Sequence, residues 1–349
     1  MSQEIAIDAR GVWKVFGSRA DEALAAIRAE GLGKSEVLSR FGCVVGVADA
    51  TFQIEEGELF CIMGLSGSGK STLVRHVNRL LEPTAGEIRI DGEDVMGLNA
   101  ERLRYLRNHQ VAMVFQNFGL MPHRTVRDNV AMPLEIRGAA KARRWAEADR
   151  VLDLVELTGW EDKYAHELSG GMQQRVGLAR AIASNPQILL MDEPFSALDP
   201  LIRKQLQDQF MALSKELKKT TMFITHDLDE AIRIGHRIAI MKDGRIVQIG
   251  TPEDIILNPA DDYVSDFVAG ISKLNLIFAH SVMTPVDRFK SEHGDVPKDA
   301  RVAAPDMDLS ALMDLCVEGT GVLKVVADGA TVGVINRAGL LRAIRENQG

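Results

Sequence analysis

The feature that most constrains the fold of this 349-residue chain is a glycine-rich loop between an apolar run and a helical pattern. The loop reads Gly64-x-x-x-x-Gly69-Lys70-Ser71, Leu59–Met63 precedes it, and residues 72–80 have helical spacing. In such a strand–loop–helix the glycines let backbone N–H groups converge on a phosphate at a helix N-terminus, whose dipole favours anions. The motif predicts that Lys70 bridges two phosphates and that the Ser71 hydroxyl contacts Mg²⁺.

Short, uninterrupted apolar runs predict a mainly parallel, buried β-sheet with helical segments between its strands. Near the N-terminus, Ile5–Ala9 alternates polar and apolar residues and Val47–Ile54 does so in part, as strands of an antiparallel layer do. The sequence therefore predicts an α/β fold with a P-loop NTPase core sheet and an antiparallel β flank. The five runs are Leu59–Met63, Val111–Phe115, Ile188–Met191, Thr221–Thr225 and Ile238–Met241.

Two helical segments interrupt the sheet pattern. Residues 18–40, between Phe16-Gly17 and Phe41-Gly42, have helix-forming composition and no strand character, so a short helical insertion is expected there. From about residue 99 to residue 183, apolar residues recur at helical spacing, as at Val151 and Val155. This second stretch predicts a helical lobe inserted into the sheet domain.

The pattern changes again after Gly270, where a linker leads into a second compact unit. That unit reads α-β-β-α, and at about 75 residues it is small for independent stability, so we expect it to pack against a second copy. The predicted division is residues 1–270 for the sheet domain with its lobe and residues 271–349 for the linker and a small α/β module. Its segments are Leu309–Val317, Val322–Val326, an Asp328-Gly329 turn, Thr331–Ile335 and Arg337–Asn347.

Charge and composition exclude several classes of function. The formal net charge of −8 leaves no general basic face for DNA or RNA, so no nucleic-acid partner is expected. Cys43, Cys61 and Cys316 lack metal-ligand spacing and lie beside apolar residues, which predicts reduced core thiols. No run approaches the roughly 20 apolar residues of a membrane span, and no signal peptide is recognised. We therefore expect any membrane function to depend on a partner.

Two adjacent carboxylates, Asp192 and Glu193, end the apolar strand that starts at Ile188. Charge is costly there unless a cation and a reacting water are present, so Asp192 fits a Mg²⁺-linked acid and Glu193 fits the residue that polarises the attacking water. A solvated acid pair at a strand end is the alternative, and the upstream P-loop disfavours it. His226 follows another apolar strand and could hold that water against Glu193, although a lone histidine is more often structural.

A second glycine turn, Ser169-Gly170-Gly171 within Leu168–Arg175, supplies a hydroxyl and backbone N–H groups at another helix start. Together with the single P-loop and the Asp192-Glu193-Pro194 strand end, this signature turn resembles the ATP-binding subunit of an ATP-binding cassette (ABC) transporter. The resemblance covers about residues 5–270. A P-loop kinase or GTPase does not explain the signature turn.

The resemblance implies a pairing of two chains, because in ABC ATPases each signature closes over the P-loop of a head-to-tail partner. Gln116 matches the Q-loop glutamine, which contacts Mg²⁺ or the attacking water. Phe41 matches the position of the adenine-stacking aromatic, with Phe16 as the alternative. Asp199 lies in a loop that resembles the one crossing between the two sites.

The complete predicted site takes ATP and Mg²⁺. The catalytic residues are Glu193, His226 and Gln116; the ATP-binding residues are Phe41, Gly64, Leu65, Ser66, Gly67, Ser68, Gly69, Lys70, Ser71 and Thr72; the residues serving the partner's ATP are Ser169, Gly170, Gly171, Gln173 and Asp199; the metal ligands are Ser71, Gln116 and Asp192.

Narrower features resemble the bacterial importers of quaternary amines, which move glycine betaine, proline betaine or choline. They are the 18–40 insertion, the P-loop continued through Arg75, and the segments Phe195–Arg203 and Lys242–Pro252. The tail resembles a single cystathionine-beta-synthase (CBS) module, where the family frequently carries two. The short tail favours the choline branch over glycine betaine or proline betaine.

The same resemblance implies partners and a location. The expected partners are integral membrane permease subunits and, indirectly, a secreted or periplasmic substrate-binding protein. The expected location is peripheral, on the cytoplasmic face of the inner membrane. An ABC importer for another small solute, or a soluble ABC ATPase without a transport role, remains as the alternative.

Overall fold

The computed structural model describes residues 4–116, 118–196, 198–269, 278–297, 299–317, 321–327 and 329–346, without the side chains of 215–217 and 344–346. The chain divides into two compact units, Met1–Thr251 and Pro252–Gly349. The predicted boundary, residue 270, lies outside the described residues, and the structural division falls earlier in the chain. It does so because Leu257 packs against the core of the second unit and Glu253 accepts hydrogen bonds from Ser281 and His280.

The first unit alternates strands and helices along most of its length. Its strands are β1 (Ile5–Phe16), β2 (Val44–Glu55), β3 (Leu59–Met63), β4 (Ala85–Ile90), β5 (Glu93–Asp94), β6 (Val111–Val114), β7 (Ile188–Asp192), β8 (Thr220–Thr225), β9 (Arg237–Lys242) and β10 (Arg245–Gly250). Its helices are α1 (Ala20–Glu30), α2 (Lys34–Phe41), α3 (Lys70–Val77), α4 (Ala100–His109), α5 (Val126–Ile136), α6 (Lys141–Leu154), α7 (Gly170–Ala183), α8 (Pro200–Leu217) and α9 (Leu228–Ile234).

The central sheet has the strand order β10-β9-β3-β8-β7-β6. Strands β6, β7, β8, β3 and β9 are mutually parallel, and only the β9–β10 pair is antiparallel. Each of the five predicted apolar runs forms one of the parallel strands, with bounds that differ by at most a residue or two. The carboxyl ends of β3, β7 and β8 therefore meet at one edge, where the P-loop, Asp192 and His226 follow them.

The antiparallel flank is a separate sheet of order β2-β1-β4-β5, as the alternating segments near the N-terminus predict. Its apolar face and the central sheet enclose the main core, in which the rings of Phe52 and Phe60 stack with centroids 5.7 Å apart. Leu73 and Val77 of α3 belong to the same core. This packing fixes the start of α3, and so the P-loop, against both sheets.

The predicted insertion is a pair of helices, α1 and α2, joined through Gly31–Gly33. Leu24 and Ile27 of α1 and Val37 of α2 are buried against Trp13 of β1. An ion pair between Arg40 and Glu30, 2.6 Å apart, joins the two helices at the surface. The insertion is thus a small packed layer on the outside of the antiparallel sheet.

The helical lobe comprises α5, α6, α7 and a 3₁₀ turn at Ala165–Glu167. It begins later than the predicted residue 99, since α4 is followed by β6, which pairs with β7 in the central sheet. Thr125, Ser169 and Asp199 cap α5, α7 and α8 by accepting hydrogen bonds from backbone N–H groups three residues on. Across the described ranges, no helix has both the length and the apolar character needed to cross a bilayer.

The second unit contains the predicted α-β-β-α pattern and elements that the sequence analysis did not identify. Its sheet has the order β11-β14-β13-β12, with β12 parallel to β13. Asp328 of the predicted turn lies outside the described residues. Its elements are α10 (Pro252–Leu257), α11 (Asp262–Val268), α12 (Ala279–Val282), β11 (Thr284–Pro285), α13 (Val286–His293), β12 (Arg301–Ala303), α14 (Leu309–Val317), β13 (Val322–Ala327), β14 (Ala330–Asn336) and α15 (Arg337–Glu346).

The three cysteines behave as the sequence predicts. Cys43, Cys61 and Cys316 are buried and free. Burial raises the pKa of the Cys61 thiol well above its ordinary value, which keeps it protonated and unreactive.

Candidate functional site

The P-loop joins β3 to α3 and depends on glycines at close approaches of the backbone. Gly64 and Gly69 have φ of 151° and 103°, and a Cβ at either position would collide with a carbonyl oxygen, that of Met241 or Gly46. The loop therefore accepts no other residue there without rearrangement. The hydroxyl of Ser68, which is 5% exposed, has no hydrogen-bond partner among the described residues, as expected of a donor that awaits a ligand.

Lys70 is the first residue of α3 and its side chain is 4% exposed. Its ammonium donates to the carbonyl oxygens of Gly64 (2.8 Å) and Leu65 (3.1 Å) and lies 3.9 Å from the carboxylate of Glu193. Burial lowers the pKa of Lys70, and the charges of Glu193 and Asp192 oppose that shift. A buried cation is thus held inside the loop, close to the strand-end acids.

Asp192 is the last residue of β7, and its side chain is fully buried. One of its oxygens accepts a 2.6 Å hydrogen bond from the Ser71 hydroxyl, and the other accepts from Arg75 at 3.0 Å. The structure therefore brings together two of the predicted metal ligands, Ser71 and Asp192. The sequence analysis missed Arg75, although it lies one helical turn after Ser71 and so faces the same side of α3.

Glu193 has a positive φ of 45°, which is strained for a residue with a side chain and is typical of functional positions. Its backbone N–H donates to the carbonyl of Ile224 in β8. Two residues on, Phe195 packs against Phe210 of α8 and Phe223 of β8, with ring centroids 6.3 and 5.9 Å away. The buried aromatic cluster anchors the turn that holds the Glu193 carboxylate in place.

His226 and Gln116 both reach Glu193 from other elements. The Nδ1–H of His226 donates to a carboxylate oxygen of Glu193 at 3.0 Å, and Gln116 Nε2 lies 3.4 Å from the same oxygen. His226 follows β8 and Gln116 follows β6, so the parallel sheet brings both to one edge. All three predicted catalytic residues therefore meet in the structure.

Two of these three residues, Gln116 and Glu193, line a cavity of about 510 Å³, and His226 does not. The P-loop, Gln116 and Glu193 form its polar part, while the start of β2 and the insertion helix α2 form the rest. The sequence analysis missed the insertion's contribution, which carries no motif. The lining residues are Lys34, Ser35, Leu38, Cys43, Val44, Val45, Gly46, Ser66, Gly67, Gly69, Lys70, Ser71, Thr72, Gln116 and Glu193.

Phe41 is not among the residues that line this cavity. Helix α2 turns its ring toward the insertion's own core, where the guanidinium groups of Arg19 and Arg40 lie 5.0 and 5.4 Å from the ring centroid. Phe16 is 39% exposed, and its ring edge lies directly beside Gly46 of the cavity wall. Neither of the two aromatics considered for base stacking lines the cavity, and Phe16 is the one whose ring lies against Gly46 of its wall.

The signature turn does not line the cavity of its own chain. Ser169 and Gly170 are exposed at the start of α7, where the Ser169 hydroxyl accepts a hydrogen bond from the Met172 N–H at 3.4 Å. Gln173 instead donates to the carbonyls of Ala165 and Leu168, at 2.9 and 3.3 Å. The Gln173 amide thus holds its own turn in shape, and Ser169 and Gly170 remain as the groups open to a neighbour.

Asp199 caps α8 and is exposed, away from the cavity. Arg203, one helical turn later, donates to the carbonyls of Ser196 (3.5 Å) and Leu198 (3.1 Å) and forms an ion pair with Asp227 (3.4 Å). Because Asp227 directly follows His226, Arg203 connects the two loops that flank the catalytic residues. The sequence analysis did not identify this role of Arg203.

The donors around the cavity fit a triphosphate with Mg²⁺. A buried ammonium, an unpartnered serine hydroxyl and the N-terminus of α3 supply positive charge and hydrogen-bond donors. No cluster of three or more His, Cys, Asp or Glu residues that could hold a metal occurs in the described part of the chain. A Mg²⁺ ion would be shared between substrate oxygens and the side chains of Ser71, Asp192 and Gln116.

Comparison with known proteins places this geometry in a family. The family model described as ABC transporter matches residues 47–196. The glycine betaine/carnitine transport ATP-binding protein GbuA of Listeria monocytogenes is 46% identical over 96% of this chain and 81% of its own length. The trimethylamine N-oxide transport ATP-binding protein TmoW of Ruegeria pomeroyi is 45% identical over 96% of both chains.

A solved structure shows the same fold over most of this chain. The dimeric ATP-binding cassette MJ0796, in a post-hydrolysis state bound to ADP and phosphate, is 32% identical, covers 70% of this chain and has a TM-score of 0.60. The α/β cassette fold predicted from the sequence is thereby confirmed.

Proposed function

The chain belongs to the ABC transporter ATP-binding subunits of the glycine betaine, carnitine and choline import family, and from that premise we propose how its residues drive transport. The family binds ATP, and ATP hydrolysis is coupled to movement of betaine-type solutes.

One observation carries the catalytic proposal: Glu193 receives a hydrogen bond from His226 at 3.0 Å and lies 3.9 Å from the P-loop Lys70. We assign Lys70 and the loop N–H groups to the β- and γ-phosphates, since they are buried donors at a helix start. Ser71, Asp192 and Gln116 would hold Mg²⁺, which neutralises phosphate charge when bound.

Glu193 acts on the water that attacks the γ-phosphorus. Its carboxylate accepts a proton or orients the water, and the His226 N–H fixes the direction of that carboxylate. The strained backbone at Glu193 and the aromatic anchor at Phe195 hold the group ready before substrate arrives. Hydrolysis further requires that the water lies in line with the bond that breaks.

Pairing follows from the position of the signature turn. Ser169 and Gly170 are exposed and do not line their own chain's cavity, so a second copy, arranged head to tail, would bring them to the γ-phosphate. The related MJ0796 cassette is dimeric. We therefore propose a symmetric pair with two composite ATP sites.

An apolar groove of about 340 Å³ beside the Q-loop segment fits the permease contact. Its wall includes Met113, Phe115 and Met121, together with Ile136 at the end of α5, and Ile136 is 59% exposed. Arg180 of α7 donates to the carbonyls of Phe118 and Gly119 at 2.7 and 2.6 Å, which ties the signature helix to this segment. We propose that a cytoplasmic helix of the permease docks here and places the chain on the cytoplasmic face of the membrane.

The groove proposal is tested by charge substitution. Ile136→Asp should prevent copurification with the permease, because a carboxylate would be buried in the apolar contact. Leu154→Asp is the matched control, since Leu154 is also helical and 37% exposed but does not line the groove. Retained permease binding by Ile136→Asp would contradict the assignment.

The transported solute is proposed as a small methylated amine. The short tail favours the choline branch of the family and so favours choline. The relative named for glycine betaine and carnitine matches 96% of this chain and favours glycine betaine. Trimethylamine N-oxide is a further candidate because TmoW has the same extent, tail included. The ATPase subunit does not touch the solute, so its own residues cannot decide among them.

Transport assays decide the solute. The complete complex in liposomes, with its substrate-binding protein, is tested for ATPase stimulation by choline, glycine betaine and trimethylamine N-oxide in turn. Stimulation by one of them identifies the solute. Lack of stimulation by any would contradict all three of these assignments.

A further inference from the structure

The second insertion helix, α2, forms part of the P-loop cavity, although no motif in it points to a ligand. Lys34, Ser35 and Leu38 of α2 line the same cavity as the P-loop and Glu193. This wall is preformed, because Val37 of α2 is completely buried against the antiparallel sheet and Glu36 accepts a 2.7 Å hydrogen bond from the Gly33 N–H at the helix start.

Leu38 is unusual within α2. Val37 and Phe41, four residues apart, form the face of the helix that packs on the insertion's core. Leu38 lies off that face, is 54% exposed, and points into the cavity. Across the cavity wall, Val44 of β2 is also 54% exposed. Two large apolar side chains are therefore left half uncovered beside the phosphate loop.

The polarity of the cavity decides what these side chains contact. The P-loop end, with Lys70, Ser71 and Glu193, takes the phosphates. The remaining walls, formed by Leu38, Val44 and their neighbours, are mainly apolar and suit the flat faces of a base. Phe16, the cross-strand partner of Val44, stands at the same end of β2.

We propose that the insertion is a nucleoside-binding wall: Leu38 covers one side of the base, and Lys34 holds α2 over the cavity. The Lys34 ammonium lies 3.6 Å from the carboxylate of Asp243 in the turn between β9 and β10, which ties the start of α2 to the central sheet. This inference rests on the proposed binding of ATP at the P-loop. In this arrangement the insertion binds the nucleoside, and the P-loop binds the triphosphate.

The test compares ATP with inorganic tripolyphosphate, which has the phosphates and lacks the nucleoside. Leu38→Asn in the full chain should weaken ATP binding by about five-fold, the size expected for losing the burial of about half a leucine side chain. Tripolyphosphate affinity should stay within about two-fold. Ser39→Asn is the matched control, since Ser39 is the exposed next residue of α2 and does not line the cavity.

The outcomes separate this inference from the proposed function. Unchanged ATP affinity in Leu38→Asn, or equal weakening of ATP and tripolyphosphate, would overturn the nucleoside wall. Failure of the unaltered chain to bind either compound would instead overturn ATP binding at the P-loop. Retained tripolyphosphate binding also shows that the Leu38→Asn chain is folded.

Discussion

Single side chains in the cavity divide the work between binding and hydrolysis. In the proposed mechanism Lys70 and the P-loop amides bind the phosphates, whereas Glu193 is positioned by His226 and by its strained backbone. Removing a binding group should therefore lower ATP affinity, whereas removing the water-activating group should lower the rate of hydrolysis.

Glu193→Gln tests this division directly. The amide keeps the shape of the side chain and loses the negative charge that orients and deprotonates water, so turnover should fall by about 10²- to 10⁴-fold. ATP affinity should remain within a few-fold, because Lys70 and the loop N–H groups are unchanged. Steady-state ATPase rates and equilibrium ATP binding check it, and Lys70→Ala, which should lose both, is the comparison.

Each predicted catalytic residue lies directly after an apolar strand or within a spaced motif, so the sequence could predict that these residues come together. Parallel strands bring their carboxyl ends to one edge, so Asp192, Glu193 and His226 had to meet the P-loop. Phe41 and Leu38 show the limit of such reasoning. Whether each side chain faces the cavity depends on how α2 packs on the antiparallel sheet. The number of residues that separates it from the P-loop in the sequence does not determine this packing.

Contacts between elements hold the loops around the site in fixed positions relative to one another. Arg203 at the start of α8 holds the carbonyls of Ser196 and Leu198 and pairs with Asp227 after His226. Its bonds therefore link the loop that holds Ser196 and Leu198 to the loop that carries His226.

Arg203→Ala should lower turnover by about ten-fold with little change in ATP affinity, because the loss of two or three hydrogen bonds frees both loops. Arg203→Lys keeps the charge without the forked geometry, so its turnover should lie between that of Arg203→Ala and that of the unaltered chain. Rate and binding measurements on the three chains, with thermal melting as a check of folding, test this. A loss of ATP affinity as large as the loss of rate would contradict a positioning role.

Strand and helix identity could be read from the sequence, and the lobe boundary could not. Residues 99–183 are mostly helical, so the pattern alone merged α4 with the lobe, while the intervening β6 belongs to the central sheet through its pairing with β7. In the tail, β11 and β12 are two and three residues long. Strands this short carry too few residues to show alternation.

The division of the whole chain after Thr251 predicts where it can be cut. A chain ending at Thr251 should fold and bind ATP within about two-fold of the full chain, because the P-loop cavity is built from the first unit alone. A chain ending at residue 274 should be less soluble, since Leu257 would lose the core it packs against. Solubility and ATP binding of the two truncations decide between this boundary and residue 270.

In the proposed pair, two copies share each ATP, and the signature turn of one chain serves the P-loop of the other. The most direct measurement is ATP turnover by the Ser169→Arg chain, with ATP affinity measured in parallel. Because Ser169 lies outside its own chain's cavity, ATP affinity should stay within about two-fold while turnover falls by at least about 100-fold. Turnover at the level of the unaltered chain would contradict the composite site.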